Sequence, residues 1–585
     1  MSFPKLSTMQ QSKRRIVIPL IALLFLSLNS LQAQSVTIGS GSYTTVIPSG
    51  EVGPQTFTGA NAIPKVAPDF NQQIQTNDFW SSLIYPFFGD SHSNILYAHP
   101  LNLKATETGM QMGYTTDHIF AANDFLFPYV PHLTVGVQGL SSNQTTTLAY
   151  GDWTVTAQWL DGDISMEATL GHGLPYAFYR IQGGNAVIIV EQVPTIWYQQ
   201  DEVLGITISG KHYGVFAPTG SSWSGSTTLE SSLNGQDYLS VALLPDTELE
   251  TLELFRSHAY AFVTDSQVEW SYTEGNAQLQ TTYTYETTLM DDHITNSEET
   301  LTALYRHQWL NTSNPMTGHI YHSPRGEMRL FEGNTFNTEL KFSGILPALP
   351  DLGDYNRTIL LGHLQTAASN ELGVGPTYEN GKDMASFSNL IYIADQLGAD
   401  TERDYFLAQL KFRLEAWFTA GGEQEYAYLN GWDVLTGYPS GYGADNQVND
   451  HHFHAAYAIM SAAAVARYDS VWASQDHWGG MVNLLIRDAN SWDRNDDMFP
   501  FLRSYDAYAG HSWAAGHGDF AEGNNQEYSS ESMNFAAAAF LWGEATGQND
   551  IRDLGIFLHT NETAAVEQYW FDVDEQVFPP EFPRD

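Results

Sequence analysis

Between about Ser35 and Thr300, apolar side chains recur at every second position in short runs. Thr154-Val155-Thr156-Ala157-Gln158-Trp159-Leu160 alternates with period two, and so does Leu279-Gln280-Thr281-Thr282-Tyr283-Thr284-Tyr285. Ala186-Val187-Ile188-Ile189-Val190 is an unbroken apolar run of the buried-strand type. Gly, Asn, Asp and Ser separate the runs, as at Asp161-Gly162-Asp163 and Thr273-Glu274-Gly275-Asn276. Many short strands at this spacing predict a β-sandwich over residues 34–300. Past about Gly381 the period becomes helical. Met384, Phe387, Leu390, Ile391, Ala394 and Leu397 form one stripe closed by Gly398, and Thr401 with Asp404 reads as a capping box opening a second helix through Trp417. Further helices are predicted over 452–467, 478–487 and 526–544. Paired helices without intervening strands predict a helical toroid over 376–585. Residues 301–375, with Pro315, Pro324, Pro347 and Pro350, read as a small α/β connector domain.

The N-terminus breaks this pattern. Lys5, Lys13, Arg14 and Arg15 precede the apolar stretch Ile16 to Leu28, and Ser30-Leu31-Gln32-Ala33 offers a cleavage site. At about 13 residues the stretch is short for a membrane span, which needs about 20. Residues 1–33 are therefore expected to be a signal peptide, with the rest of the chain secreted, extracellular and without a membrane span.

Charge narrows the function. The 585 residues carry 24 Lys+Arg against 67 Asp+Glu, a net −43. Such a surface repels phosphate backbones and polyanionic polymers, which argues against nucleic-acid partners. Charged residues are only 16% of the chain while aromatics reach 13%, a balance suited to neutral, hydroxylated polymers whose faces stack on rings. With no cysteine, disulfides, thiolate nucleophiles and thiolate zinc sites are excluded.

Carboxylates are the candidate chemistry. Glu527 and Glu531 stand four apart at the start of the helix predicted over 526–544, which would place both on one face. They read either as a solvated acidic first turn or, given Ser529, Ser530, Ser532 and Ala536 to Ala539, as a closely packed pair. Asp450 precedes another helix. As an N-cap its pKa would fall, whereas a catalytic acid there needs a neighbouring carboxylate to raise it, and Glu527 or Glu531 could supply that charge. His452 and His454 form an H-x-H pair, but on a helix they diverge by about 200°, so no metal is expected. His454 instead shares the face of Asp450. His511 and Trp513 follow Gly510 and read as a loop presenting a donor and a stacking ring, or as ordinary loop packing. Nucleophile elbows, phosphate loops and dinucleotide fingerprints are not found, and Gly373-Val374-Gly375 is too short to count.

Asn449-Asp450-His451-His452-Phe453-His454, Arg503-Ser504-Tyr505-Asp506, Gly510-His511-Ser512-Trp513 and Gln526-Glu527-Tyr528-Ser529-Ser530-Glu531 resemble the signature segments of glycoside hydrolase family 81, the inverting endo-β-1,3-glucanases or laminarinases. Thr76 to Trp80, His99-Pro100, Leu254-Phe255-Arg256 and Tyr378 to Lys382 extend the resemblance over nearly the whole chain, in order. The resemblance implies an N-terminal β-sandwich, a small α/β domain and a C-terminal (α/α)6 toroid. It implies Asp450 as general acid, Glu531 as the base activating water and Glu527 as a second essential carboxylate. His454, His511, Trp513 and Tyr442 would line a groove for β-1,3-glucan, with no cofactor and a monomeric enzyme. Two departures stand out. Ala455-Ala456 replaces the Tyr-Gly common after the histidine, and the chain ends at Asp585, where relatives usually continue through further toroid helices. The competing expectations are a catalytically impaired glucan-binding protein of the same fold and another toroid-type polysaccharide-degrading enzyme. A lyase would want basic residues beside the motifs, and these are scarce.

Overall fold

The computed structural model describes residues 35–582 apart from 121–124, 201 and 292–295, so the expected signal peptide lies outside the described residues. The N-terminal part is β-rich. One eight-stranded antiparallel sheet runs, in spatial order, Thr195–Gln200, Val203–Ile208, Lys211–Phe216, Tyr238–Leu244, Tyr176–Gln182, Ile164–Gly171, Thr154–Asp161 and Thr145–Tyr150. A seven-stranded antiparallel sheet runs Ser224–Gly225, Thr228–Ser231, Ala186–Ile189, Pro131–Val137, Gly109–Gly113, Asn102–Thr106 and Ile95–Tyr97. The alternation in the sequence sets which side chains point inward. Val155, Ala157 and Trp159 are buried, and on the paired strand so are Met166, Ala168 and Leu170. Gly162, at φ +60°, makes the turn between these strands. The two sheets meet through the Trp159 indole, which donates to the Thr106 carbonyl at 2.7 Å. A three-stranded sheet of Ala261–Thr273, Gln278–Leu289 and Thr335–Lys341 runs across residue 300.

Nine α-helices occur among the described residues: α1 Leu249–His258, α2 Arg306–Trp309, α3 Arg357–Ala367, α4 Thr377–Gln396, α5 Asp400–Trp417, α6 His451–Tyr468, α7 Gly479–Asn490, α8 Ser529–Thr546 and α9 Asn549–Tyr569. The last seven make the C-terminal part helical. Helix α6 is buried along most of its length, with Ala455, Ala456, Ala458, Ala462, Ala463, Ala464 and Ala466 among its buried residues. These short side chains let α4 and α8 approach it from either side. Closer still is the crossing of α8 and α9. A Cβ on Gly555 would lie 2.4 Å from the Phe540 nitrogen, so only glycine fits there.

Three local expectations are corrected. Helix α5 starts at Asp400 with no side-chain cap, so the Thr401–Asp404 capping box does not form. The helical part also contains a hairpin, Glu425–Leu429 with Val434–Tyr438, joined in one sheet by Ser35–Ile38 and Gly41–Thr44. The chain's first described residues are thus built into its C-terminal half. The third correction concerns Glu527. Helix α8 begins at Ser529, and Glu527 lies before it at φ +59°. The helical-face argument therefore does not hold for the 527–531 pair, and a loop, not a shared turn, positions Glu527.

Candidate active site

Asp450 sits at the N-cap position of α6 but does not cap it. Its φ of +62° turns the side chain away from the helix N–H groups. Two backbone hydrogen bonds fix the residue: its N–H donates to the Ala514 carbonyl at 3.1 Å, and its carbonyl accepts from the His454 N–H at 2.9 Å. Asp450 is 8% exposed, and its buried Oδ1 has no hydrogen-bond partner among the described residues. Burial raises its pKa and the Glu527 charge adds to that. His451 opposes, Glu531 adds a smaller share, and the result is a carboxyl pushed up to about 8. An acid that keeps its proton at neutrality is what donation to a leaving oxygen requires.

The opposing His451 is fixed from both sides. Nδ1 lies 2.7 Å from Asp488 Oδ2 and Nε2 lies 2.8 Å from the Ala444 carbonyl. Burial works against its charge, but Asp488 and these hydrogen bonds raise its pKa. Asp488 in turn accepts from the Leu435 N–H, and the fully buried Arg503 donates to the Asp488 carbonyl and to Thr76 Oγ1 at 3.1 Å. From the β-rich part, Asn77 spans the two segments that hold the acid, its Nδ2 donating to the carbonyls of Val448 and Ala514, both at 3.0 Å. The Thr76–Trp80 segment thus contributes to the site by tying the acid's backbone in place.

Glu531 stands in the first turn of α8, half-buried. Its Oε1 accepts hydrogen bonds from two phenols, Tyr378 of α4 at 2.8 Å and Tyr457 of α6. With Oε1 doubly held, Oε2 is left to take a proton from water. Glu527 is exposed and weakly held, its Oε1 lying 3.4 Å from Asn525 Nδ2. Both phenols escaped the sequence reading as individual site residues. The signal for Tyr457 was present, since 450, 454 and 457 fall on one face of α6. Tyr457→Phe is expected to lower kcat about tenfold with a smaller change in KM, because it loosens the base without removing it; initial-rate kinetics check this.

The expected groove residues separate into two groups. His454 and Tyr442 join the carboxylates. His454 Nδ1 lies 2.8 Å from Thr377 Oγ1, burial keeps its imidazole neutral with a pKa of about 3, and its ring packs 5.3 Å from that of Tyr378. Tyr442 is 60% exposed and meets the Tyr378 ring edge-on at 5.0 Å, giving an open aromatic rim. His452 points elsewhere, to Ser512 Oγ at 3.0 Å, so the H-x-H pair does diverge. His511 and Trp513 are not loop side chains offered to solvent. His511 is 1% exposed and packs between Trp513 and Trp570, while the Trp513 indole donates to Asp506 Oδ2 at 3.0 Å.

Beneath the glutamates, Glu562 of α9 is buried and receives Ser532 Oγ at 2.7 Å and Gln526 Nε2 at 3.1 Å. Burial dominates those bonds and lifts its pKa to about 8. In the unfolded chain it ionises near 4.5, so its contribution to stability is full below that pH and is lost as pH rises through the folded value. Glu562→Gln is expected to raise Tm at pH 7–8, by on the order of 1–3 kcal/mol of stability, and to leave Tm unchanged at pH 4. Thermal melts across pH check both.

A protonated carboxyl beside two further carboxylates, on an open aromatic rim, defines the class as that of glycoside hydrolases working with a carboxylic acid and a carboxylate base. Comparison with known proteins agrees. The model of the glycosyl hydrolase family 81 C-terminal domain matches residues 357–584. A glucan endo-1,3-beta-D-glucosidase of Thermobifida fusca is 41% identical over 563 residues, 94% of this chain and 74% of that protein. One of Acetivibrio thermocellus is 42% identical over 525 residues, 87% of this chain and 66% of that protein. A solved structure of glycoside hydrolase family 81 from Clostridium thermocellum superposes with a TM-score of 0.89 at 40% identity, covering 94% of this chain and 76% of that one. The chain belongs to glycoside hydrolase family 81.

Proposed function

We propose that the protein is a secreted endo-β-1,3-glucanase that hydrolyses internal bonds of laminarin- and curdlan-type glucans with inversion at the anomeric carbon. Family membership and relatives named glucan endo-1,3-beta-D-glucosidase support the substrate. The observation that carries the chemistry is the Asp450 carboxyl, buried and unpartnered at Oδ1, its pKa raised to about 8 first by that burial and then by the neighbouring Glu527. Asp450 gives its proton to the glycosidic oxygen as the C1–O bond breaks. Glu531, with Oε1 held by two tyrosines, takes a proton from the water that attacks C1 from the opposite face. Glu527 orients that water or the sugar, and its negative charge helps keep Asp450 protonated. An inverting pair needs its carboxyls about 6.5–9.5 Å apart to admit the water.

The two antiparallel sheets are read as a β-sandwich domain spanning 34–300 and residues 301–375 as a small α/β domain. The helices of 376–585 are read as an (α/α)6 toroid carrying all three carboxylates. The N-terminal signal pattern supports export, and the protein is taken to act as a monomer. The deciding experiment follows hydrolysis of laminarin and curdlan by NMR. The first product is expected as the α-anomer, mutarotating afterwards to β. A β-anomer released first would overturn inversion, and no reducing ends from either glucan would overturn the hydrolase reading.

The pH profile gives a further check. Since Glu527 is the largest charge raising Asp450, Glu527→Gln is expected to move the alkaline limb of kcat/KM, near pH 8 in the parent, to lower pH by about half a unit or more. Unchanged limbs would show that the two side chains are not coupled.

A further inference from the structure

A concavity lies beside Trp513, just past the short strand His511–Ser512. It has a volume of about 260 Å3 and is lined in part by Phe79, Tyr97, His99, Arg325, Trp513 and Glu522. Two buried donors there lack acceptors. Arg325 Nη1 and His99 Nε2 have no hydrogen-bond partner among the described residues, and His99 is only 7% exposed. The Tyr305 hydroxyl lies 2.9 Å from His99 Nδ1. Donation from that hydroxyl leaves the proton of a neutral imidazole on Nε2. Burial, reinforced by the Arg325 charge, keeps His99 neutral. The Arg325 guanidinium rests 5.3 Å from the Tyr305 ring, 5.4 Å from that of Tyr569 and 5.7 Å from that of Trp513, so aromatic faces are its compensation. Unmade hydrogen bonds from buried donors are costly, and such donors are what a ligand's oxygens would satisfy.

We propose that this concavity is a subsite for one neutral glucosyl unit, either a chain end or a single-unit branch of the glucan. Its chemistry is that of a sugar pocket: flat apolar walls, two donors at the floor and one exposed carboxylate, Glu522, as acceptor at the mouth. Its volume falls below the range of pockets for larger ligands, room for about one pyranose. Its position suits a substituent of the cleaved chain. Trp513 is followed by Ala514, whose carbonyl holds the Asp450 N–H, and the wall residue Asn524 stands three positions before Glu527. The proposal rests on the glucanase reading and adds a substrate feature to it.

The test uses the full chain and two variants, Arg325→Met and Glu522→Ala. Saturation-transfer NMR with methyl β-D-glucoside is expected to show binding to the parent, weakened about tenfold in Arg325→Met and about threefold in Glu522→Ala. In parallel, the ratio of kcat/KM on a β-1,6-branched glucan to that on a linear β-1,3-glucan is measured. A tenfold fall of this ratio in Arg325→Met identifies a branch unit. An unchanged ratio, with weaker glucoside binding, identifies a chain end. Equal glucoside binding by all three proteins overturns the proposal, as does tighter binding of glucuronate or sulfate than of the neutral glucoside. If Arg325→Met does not fold, Glu522→Ala at the exposed mouth carries the test alone. Binding that is lost on substitution in a chain that hydrolyses no glucan would leave the subsite standing and overturn the glucanase reading instead.

Discussion

Asp450→Asn is expected to lower kcat on laminarin about a thousandfold while the protein stays folded and its melting temperature at pH 7 rises. Both effects come from the same burial. The glycosidic oxygen is a poor leaving group, so loss of its proton donor costs within the 10²–10⁴ range of general acid catalysis, roughly 3–5 kcal/mol of barrier. On an aryl glycoside with an acidic phenol the departing oxygen needs little protonation, and the deficit should shrink to about tenfold or less. The alkaline limb near pH 8 should vanish with the group that titrates there. Stability moves the other way. An aspartate in the unfolded chain ionises near 3.8, whereas the folded carboxyl holds its proton to about 8. Between these values the unfolded state binds fewer protons than the folded one, so stability falls as pH rises. Asn removes that penalty, worth on the order of 1–3 kcal/mol at pH 7, without changing shape. A variant that is slow on laminarin, fast on the aryl glycoside and hotter-melting would match all three arguments. Full activity on laminarin would remove Asp450 from the mechanism.

How far this site was legible follows from which physical signals the sequence carries. Strands such as Thr154–Asp161 were legible because one buried face imposes period two, and α4 because its apolar stripe and the closing Gly398 are local. The Asp450 environment was legible only as a pair of alternatives. A capping aspartate and a buried acid look identical in one dimension, and the +62° φ that decides between them is set by Ala514, sixty-four residues away. Glu527 was misplaced for a similar reason, since its left-handed backbone leaves no compositional trace such as glycine. The hairpin Glu425–Leu429 with Val434–Tyr438 is stabilised by strands from the chain's start, a long-range pairing that no local period encodes. For His511 the sequence left a presented donor and ordinary loop packing both open, because a Gly-flanked histidine signals a turn but not what later covers it, here Trp570.

Glu531→Gln is expected to lower kcat by about 10³-fold or more and to be rescued by azide, which separates the two glutamates as no rate alone can. Removing the base leaves Asp450 able to protonate the leaving oxygen, but no group deprotonates the water. Azide is already an anion and needs no base. It attacks C1 from the face opposite the departing oxygen, the C1–N bond forms as the C1–O bond breaks, and the Asp450 proton goes to the leaving hydroxyl. From a β-linked glucan the product is then the α-glucosyl azide. Gln suits the pocket because its oxygen can still accept from Tyr378 and Tyr457, so the tyrosines keep their partner and the helix start its geometry. Glu527→Gln should gain nothing from azide, since Glu527 lacks that pair of phenols and stands exposed before α8. If azide instead restores turnover to Glu527→Gln and not to Glu531→Gln, the base is the exposed carboxylate and the two-tyrosine clamp serves to hold an orienting group. A β-azide from either variant would place a covalent glycosyl–enzyme step in the reaction, which a water-primed base on α8 does not allow.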